Sequence, residues 1–432
     1  MSPLAIGLAG FAAVLALIMA RVPVAVAMGV VGLGGLLLLE PPATVLFLIG
    51  PAAFDAVYPY GLSVVPLFIV MGVFASHAGL SRQLYQAVYA FVGHWRGGLA
   101  HATIGACAAF GAICGSSIAT AATMCRVALP EMRRRGYDDA IATASIAAGG
   151  TLGIMIPPSI IFAIYGLLTE TSIGRLFVAG ILPGLLGTAL YMAAIRLATG
   201  RRSELAPAGE RLAWAARLRA LAEVWGVLAL FGLVIGGIYV GWFSPTEGAG
   251  VGAIGALLFA LARGELGAGR LRAAVHETAA TIAMIFLILI GAALFNLFLE
   301  ASKLPRELAQ SVAALGLPPM VVVIGLMALY ILLGCVMDSL SMILLTVPAV
   351  FPLIKALGVD PIWFGVLIVT VVEIGMITPP VGMNLFVIQG ASGVPLRRIV
   401  AGIWPFVGAD VVRLALLILF PVLSTFLPSL MR

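Results

Sequence analysis

Charge is scarce in this sequence. Asp, Glu, Lys and Arg make up 10% of its 432 residues, where a soluble globular protein carries about 25%. That scarcity excludes an ordinary water-facing surface. Lysine is almost missing: only Lys303 and Lys355 occur, and neither stands in a G-x-x-x-x-G-K-[ST] frame. The chain therefore does not hydrolyse ATP through a P-loop of its own. Cys107, Cys114, Cys125 and Cys335 lie inside apolar runs without metal-ligand spacing. They read as small apolar fillers and carry no information on redox compartment. His77, His94, His101 and His276 are scattered near predicted segment ends and do not read as ligands.

What the chain has in abundance is apolar length. Hydrophobic residues make up 62%, and the mean hydropathy is +1.17. Apolar runs long enough to cross a bilayer recur from end to end. Backbone groups in hydrocarbon must pair within their own segment, and these runs do not alternate as barrel strands do. An all-α polytopic membrane protein is predicted. Candidate crossings are 4–20, 22–39, 60–80, 139–169, 176–198, 223–242, 247–262, 277–299, 361–391 and 399–427. The first resembles a signal peptide but lacks a basic start and has a counterpart downstream, so it reads as a mature helix. Glycine is also frequent, at 51 residues, which suits close helix packing in a membrane.

The net charge of +6 comes mainly from arginines at segment ends, so it reports topology, not nucleic-acid binding. With Arg21 placed inside, counting crossings puts Arg82, Arg96, Arg133–Arg135, Arg196–Arg219, Arg263–Arg272 and Arg397–Arg398 on the same side. Only Arg175, Lys303, Arg306, Lys355 and Arg432 fall opposite, and Arg126 and Arg413 lie within apolar segments. This asymmetry follows the positive-inside rule and puts both termini outside. Residues 200–222, with Arg201, Arg202, Arg211, Arg217 and Arg219 among Leu and Trp214, read as a linker. It is either an amphipathic helix on the cytoplasmic surface or a soluble connection.

A constant offset of 222 residues aligns 1–199 with 223–432. It pairs Pro23 with Pro245, Ser117 with Ser339, Gly136 with Gly358, Asp138 with Asp360, Gly153 with Gly375, Pro157-Pro158 with Pro379-Pro380, and Pro183 with Pro405. Matched Pro, Gly and Asp are not accidents of an apolar composition. Each half has an odd number of crossings, so the copies are inverted. The charges agree: Arg133-Arg134-Arg135 is strongly basic, and its counterpart near Lys355 is not. Inverted repeats mark secondary transporters, with sites at mid-membrane between the copies.

Two kinds of segment carry chemistry. Residues 99–135 and 317–356 each hold two apolar arms around a polar centre, Gly115-Ser116-Ser117 and Asp338-Ser339-Leu340-Ser341. Each arm spans about 16 residues, short of the ~20 a crossing needs, so both read as re-entrant hairpins. The segments 139–169 and 361–391 are broken helices, interrupted at Pro157-Pro158 and Pro379-Pro380. Consecutive prolines remove two amide donors. The freed carbonyls need a partner in hydrocarbon, and a hard cation such as Na⁺ supplies one. Asp338 is the sharpest single residue, since a carboxylate at bilayer depth costs about 2.5–3.5 kcal/mol. Its counterpart is Ser116, so the fold itself does not require the acid. Glu373, matched by Thr151, is either a second ion or proton ligand or a brace for the unwound backbone. Ser117 and Ser339 are candidate substrate contacts, and Asn384 is a candidate substrate or ion contact. Arg126 either meets an anionic substrate or snorkels to the cytoplasmic face. Gly390-Ala391-Ser392-Gly393 resembles the G-x-S-G of intramembrane serine proteases. A serine nucleophile needs a base, and no histidine follows His276.

Taken together, several stretches resemble the large membrane subunit, DctM-like, of tripartite ATP-independent periplasmic (TRAP) transporters. They are Arg21-Val22-Pro23-Val24-Ala25, Pro66-Leu67-Phe68-Ile69-Val70-Met71-Gly72, Gly93-His94-Trp95-Arg96-Gly97-Gly98-Leu99-Ala100, and Gly115-Ser116-Ser117-Ile118-Ala119-Thr120-Ala121. Ile156-Pro157-Pro158-Ser159, Ser244-Pro245-Thr246-Glu247 and Thr378-Pro379-Pro380-Val381-Gly382-Met383-Asn384-Leu385 complete the set. The resemblance implies a non-enzymatic, elevator-type secondary transporter in the bacterial inner membrane, with a transport domain moving against a scaffold. It implies uptake of a carboxylate-bearing solute such as a C4-dicarboxylate or sialic acid. It also implies Na⁺ as coupling ion, a periplasmic substrate-binding protein and a small four-helix membrane subunit. Carried over by position, it implies one Na⁺ site at Gly115, Ser116, Gly153, Ile156 and Pro158, and a second at Asp338, Gly375 and Thr378. Cys114 departs from the small polar residue the resemblance implies there. The alternatives are a stand-alone ion/dicarboxylate symporter or Na⁺/H⁺ antiporter of similar hairpin plan, and, in another class, a channel or structural membrane subunit.

Overall fold

The structure, a computed structural model, describes residues 3–200 and 205–431. Of the residues used for the topology, Arg201, Arg202 and Arg432 lie outside the described residues, as do Ser203 and Glu204 of the linker. The first half forms α1 (Pro3–Met19), α2 (Val24–Leu39), α3 (Pro42–Asp55), a 3-10 turn at Tyr60–Ser63, α4 (Val64–His77) and α5 (Leu80–Val92). It continues with α6 (Gly98–Cys114), α7 (Ser117–Arg134), α8 (Asp139–Met155), α9 (Ile160–Thr169) and α10 (Ile173–Gly200). The second half forms α11 (Trp214–Glu223), α12 (Trp225–Val240), α13 (Pro245–Ala262), α14 (Ala268–Ala301), α15 (Leu304–Ala314) and α16 (Pro319–Gly334). α17 (Ser339–Ala356), α18 (Pro361–Ile377), α19 (Met383–Ser392), α20 (Leu396–Leu419) and α21 (Val422–Ser429) complete it. The described residues are all-α, with no strand.

The bounds of α17 and α18 fall on those of α7 and α8 when 222 is added. The reason is local: the same capping chemistry recurs at the matched positions. Asp138 accepts from the Ala140 amide at the start of α8, and Asp360 accepts from Ile362 and Trp363 at the start of α18. Side-chain oxygens there satisfy helix N–H groups that lack an intrahelical partner.

Where the halves differ, proline decides. α14 runs unbroken for 34 residues, and no proline lies within it. Its counterpart at the offset of 222, residues 46–79, contains Pro51, Pro59 and Pro66. There the chain divides into α3, the 3-10 turn and α4. The sequence reading had no helix at α3 and began the 277–299 crossing too late.

Seven helices among the described residues are long and apolar enough to cross a membrane, or eight if the bent pair α11–α12 is one span. Ten crossings were expected. α1, α2 and α18 fall just short by length. The returning hairpin arms α7 and α17 have 18 residues each, longer than expected. Only the outgoing arms α6 and α16, at 17 and 16 residues, keep the short length on which the hairpin reading rested.

The broken helices form the centre. Every residue of α8 from Ile141 to Met155 is buried, as is every residue of α18 from Trp363 to Ile377. The periphery is apolar and exposed: Leu228, Ile254, Leu258 and Leu287 on α12, α13 and α14 face outward, as lipid-facing side chains do. α2 and α14 cross closely because Gly291 has no side chain; a Cβ there would lie 2.3 Å from the Ala25 carbonyl oxygen. The linker does not float. Gly97 and Asp138 donate their amides to Ala206 and Leu205, Gly209 donates to Gly93, and the Tyr137 hydroxyl donates to Pro207. Trp214 then opens α11, which packs on α5.

Candidate functional site: two hairpin tips and two broken helices

The two tips are built alike. α6 stops at Cys114 because Gly115 takes a left-handed conformation, φ +63°, which glycine adopts without strain. Ser116 then caps α7, its hydroxyl accepting from the Ala119 amide at 3.4 Å. In the second half Asp338 does the same work for α17. One carboxylate oxygen accepts from the Leu340 and Ser341 amides, both at 3.1 Å, and the other accepts from the Ser341 hydroxyl. Asp338 and Ser116 are thus both N-caps, and what differs is the charge. Both tips aim helix N-termini, with their partial positive charge, at one cavity of about 340 Å³.

That cavity is lined by Ser116, Ser117, Asp338 and Ser339 from the tips, and by Glu277 and Thr281 from α14. The remaining lining is mostly Ile, Met and other small or apolar residues. Among the described residues no Lys or Arg lines it. Among them its charged side chains are two carboxylates, Asp338 and Glu277, the latter 3.1 Å from His77 of α4.

The breaks lie against the tips. α8 ends at Met155 and resumes at Ile160, and Pro157-Pro158 and Pro379-Pro380 are both cis. Gly153 and Ile154 have Pro157 and Pro158 as their i+4 residues, which carry no N–H. The Ser159 hydroxyl replaces one donor, bonding the Ile154 carbonyl at 2.5 Å. In α18 the Gly375 carbonyl accepts from the Thr378 amide at 3.2 Å, and the Thr378 hydroxyl donates to Ile374 at 2.6 Å. That use of its proton leaves the Thr378 oxygen free to accept.

The residues of the first predicted ion site come together. A Cβ on Gly115 would lie 2.9 Å from the Pro158 carbonyl oxygen, and one on Gly153 would lie 3.2 Å from that of Ser116. Only hydrogen atoms let these backbones approach. The Ile156 side chain packs against Gly184 of α10, which leaves only its backbone carbonyl as a candidate ligand. Sequence reasoning missed Thr120, one turn beyond Ser116. Its buried hydroxyl has no hydrogen-bond partner and would lie 2.8 Å from a Gly153 Cβ. The helical i+4 spacing from the tip serine was the available signal. At the second site Gly375 packs against Gly334, and the Gly382 amide bonds the Cys335 carbonyl at 3.2 Å. Tip and break are therefore tied there too. Asp338 and Met376 both line the cavity, and the Asp338 carboxylate's hydrogen bonds go to its own helix.

The other candidates separate. Asn384 is fully buried and donates to the Ser117 hydroxyl at 2.8 Å and the Ala147 carbonyl at 3.1 Å. It joins α19 of the second half to α7 and α8 of the first, and it does not line the cavity. Ser117 and Ser339 do. Arg126 is exposed and lines a different cavity, near Arg82 and Arg135.

Glu373 is not at the cavity. It pairs with Arg413, which also lies 2.8 Å from Asp410, and all three are fully buried. The Tyr191 hydroxyl donates to Asp410 at 2.6 Å and lies 3.2 Å from the Thr151 hydroxyl. At the offset of 222, Thr151 matches Glu373 and Tyr191 matches Arg413. The same two positions thus pair in both halves, as neutral hydroxyls in one and as an ion pair in the other. The sequence reads Glu373 either as an ion or proton ligand or as a brace for the unwound backbone; its partner is instead Arg413, and the pair clamps α18 to α20. Asp410 was missed and Arg413 was left unassigned, although the matched substitution of Thr and Tyr by Glu and Arg was visible.

Comparison with known proteins gives one consistent result. Residues 11–423 match the family described as "Tripartite ATP-independent periplasmic transporter, DctM component". The chain is 36% identical over 380 residues to the C4-dicarboxylate TRAP transporter large permease protein DctM of Pseudomonas aeruginosa, covering 87% of this chain and 88% of that one. It is 32% identical over 373 residues to the sialic acid TRAP transporter large permease protein SiaM of Vibrio cholerae, covering 86% and 87%. In fold it is similar to the crystal structure of the YdaH transporter of Alcanivorax borkumensis. The TM-score is 0.67 at 18% identity, covering 87% and 88% of the two chains.

Proposed function

Because the chain belongs to the DctM component family of tripartite ATP-independent periplasmic transporters, we propose that it carries a carboxylate-bearing solute across the bacterial inner membrane, driven by Na⁺. A periplasmic binding protein delivers the solute, and a small four-helix membrane subunit extends the scaffold. The observation that carries this reading is the convergence of both tips on one cavity whose charged lining is wholly acidic. A carboxylate cannot enter beside Asp338 and Glu277 without a compensating positive charge. Na⁺ at the two tip–break junctions supplies it, together with the N-termini of α7 and α17.

Coupling then follows from electrostatics. Na⁺ at Asp338, Gly375 and Thr378 neutralises the carboxylate that would repel the solute. Na⁺ at Gly115, Ser116, Gly153, Ile156 and Pro158, with the Thr120 oxygen in reach, charges the opposite tip. Solute affinity rises only once Na⁺ is bound, and linkage makes the effect reciprocal. Ser117 and Ser339 offer hydroxyls to the solute carboxylate. The buried body of α6–α9 and α16–α19 moves as the elevator against α2, α4, α13 and α14, carrying ions and solute together.

The test is uptake into proteoliposomes holding this chain and its small subunit, with the solute-loaded binding protein outside. Uptake should require an inward Na⁺ gradient and should stop when K⁺ replaces Na⁺. Transport by this chain without the binding protein would favour the stand-alone symporter. Transport indifferent to Na⁺ would overturn the coupling.

A further inference from the structure

We infer that the shoulder of the first hairpin is a binding site for a phosphate oxyanion, the group carried by an anionic phospholipid headgroup or by free phosphate. A cavity of about 570 Å³ lies between α5 and the returning arm α7, and it shares no lining residue with the tip cavity. Arg82 from α5, Arg126 from α7 and Arg135 just beyond α7 line it. The one acid there, Glu131, is 3.1 Å from Arg134. Arg135 is positioned by Tyr89, donating to its hydroxyl at 2.7 Å and lying over its ring. Arg82 and Arg126 are unspent: neither makes an ion pair or a side-chain hydrogen bond among the described residues.

The second observation is Tyr85. It lines the same cavity and is only 5% exposed; among the described residues its hydroxyl makes no hydrogen bond within 3.5 Å, the Thr103 hydroxyl being its polar neighbour. A buried hydroxyl without a partner is costly, and an oxyanion in the cavity would accept from it. Guanidinium forks match phosphate oxygens in geometry as well as charge. Leu99, Val127 and Pro130 complete the wall and offer an apolar side to an attached glycerol or acyl chain. The arginine distribution puts this shoulder on the cytoplasmic side, where anionic headgroups attract basic residues. Since α7 is an arm of the hairpin, a ligand held from both α5 and α7 would tether that arm.

The experiment uses the full-length chain, delipidated in neutral detergent and titrated with phosphatidylglycerol or phosphatidylcholine under native mass spectrometry. Inorganic phosphate is titrated separately by calorimetry. Wild type should retain phosphatidylglycerol over phosphatidylcholine. The double variant R82Q/R126Q should weaken that retention about tenfold, as expected for two partly exposed charge pairs. Added salt should weaken it as well. Tyr85→Phe, which keeps the ring packed, should weaken it by a smaller factor while thermal unfolding stays unchanged. If inorganic phosphate binding is lost in the variants and phosphatidylglycerol retention is not, the site holds the free anion. If neither ligand distinguishes wild type from R82Q/R126Q and Tyr85→Phe, the inference is overturned.

Discussion

Replacing Arg413 by methionine should be among the most damaging single changes in this protein that touch neither the tip cavity nor an ion site. Among the described residues Arg413 is the one cation paired with Glu373 and Asp410, and none of the three is exposed to solvent. Methionine fills a similar volume and leaves two buried carboxylates with no partner charge. Breaking a buried ion pair from one side costs about 3–5 kcal/mol, a large share of the 5–15 kcal/mol that holds a typical domain folded. The control comes from the protein itself. The triple variant E373T/D410T/R413Y installs the residues of the first half, Thr151, Thr188 and Tyr191, at their matched positions. It removes all three charges at once, and replacing a whole buried ionic group by neutral residues is often close to neutral in stability. Thermal unfolding of the detergent-purified chain, followed by size exclusion, should therefore place the triple variant near wild type and Arg413→Met far below it. If the single variant is as stable as wild type, or the triple as unstable as the single, the account of these residues as a mutually compensated brace is wrong.

Further predictions concern the tips, the junctions and the mouth of the cavity. Asp338→Ser keeps a helix cap but removes the charge, so it should fold as wild type and lose Na⁺-dependent uptake. Asp338→Ala should lose both the uptake and about 1 kcal/mol of stability from the missing cap. Gly111→Ala would place a methyl 2.4 Å from the Gly153 Cα. Overpacking of that kind costs about 1–3 kcal/mol, read as a lower unfolding temperature, and Na⁺ binding by calorimetry should weaken with it. Asn384→Leu removes the bridge to Ser117 and Ala147. The buried acceptors left behind should lower stability by about 1–3 kcal/mol. Glu277→Gln removes a repelling charge at an exposed position, so the KM for a carboxylate solute should fall by up to about fivefold, with kcat little changed.

Much of the architecture was legible because its causes are local. Pro157-Pro158 and Pro379-Pro380 break helices wherever they stand, and Asp138 and Asp360 start helices by bonding amides two or three residues on. A polar centre between two apolar arms turns the chain. The offset of 222 residues lifted these local signs into a duplicated plan. The same physics explains the misses at the edges. α3 has 14 residues, with proline at its start and within it, too short to stand among the candidate crossings. α7 and α17 run to a full 18 residues because the helix continues into the polar flank, through Glu131, Arg133 and Arg134 in α7 and Lys355 in α17.

The sequence by itself determined an all-α membrane chain, its duplicated order of elements, its breaks and tips, and the residue types at each. Tertiary structure alone decided which of these meet. It set Thr120 beside Gly153 and Ser116, bonded Asn384, a candidate substrate or ion contact, to Ser117 and Ala147, and placed Arg126 at a separate basic cavity. It also joined Tyr191 to Asp410 across 219 residues. The physical reason is that a lone charged or polar residue in an apolar helix has several ways to be satisfied, by snorkelling, by an ion or by a distant partner. Local sequence does not choose among them. Packing does, because in the buried centre of α8, α10, α18 and α20 only the partner that lies within hydrogen-bond reach can take up the charge.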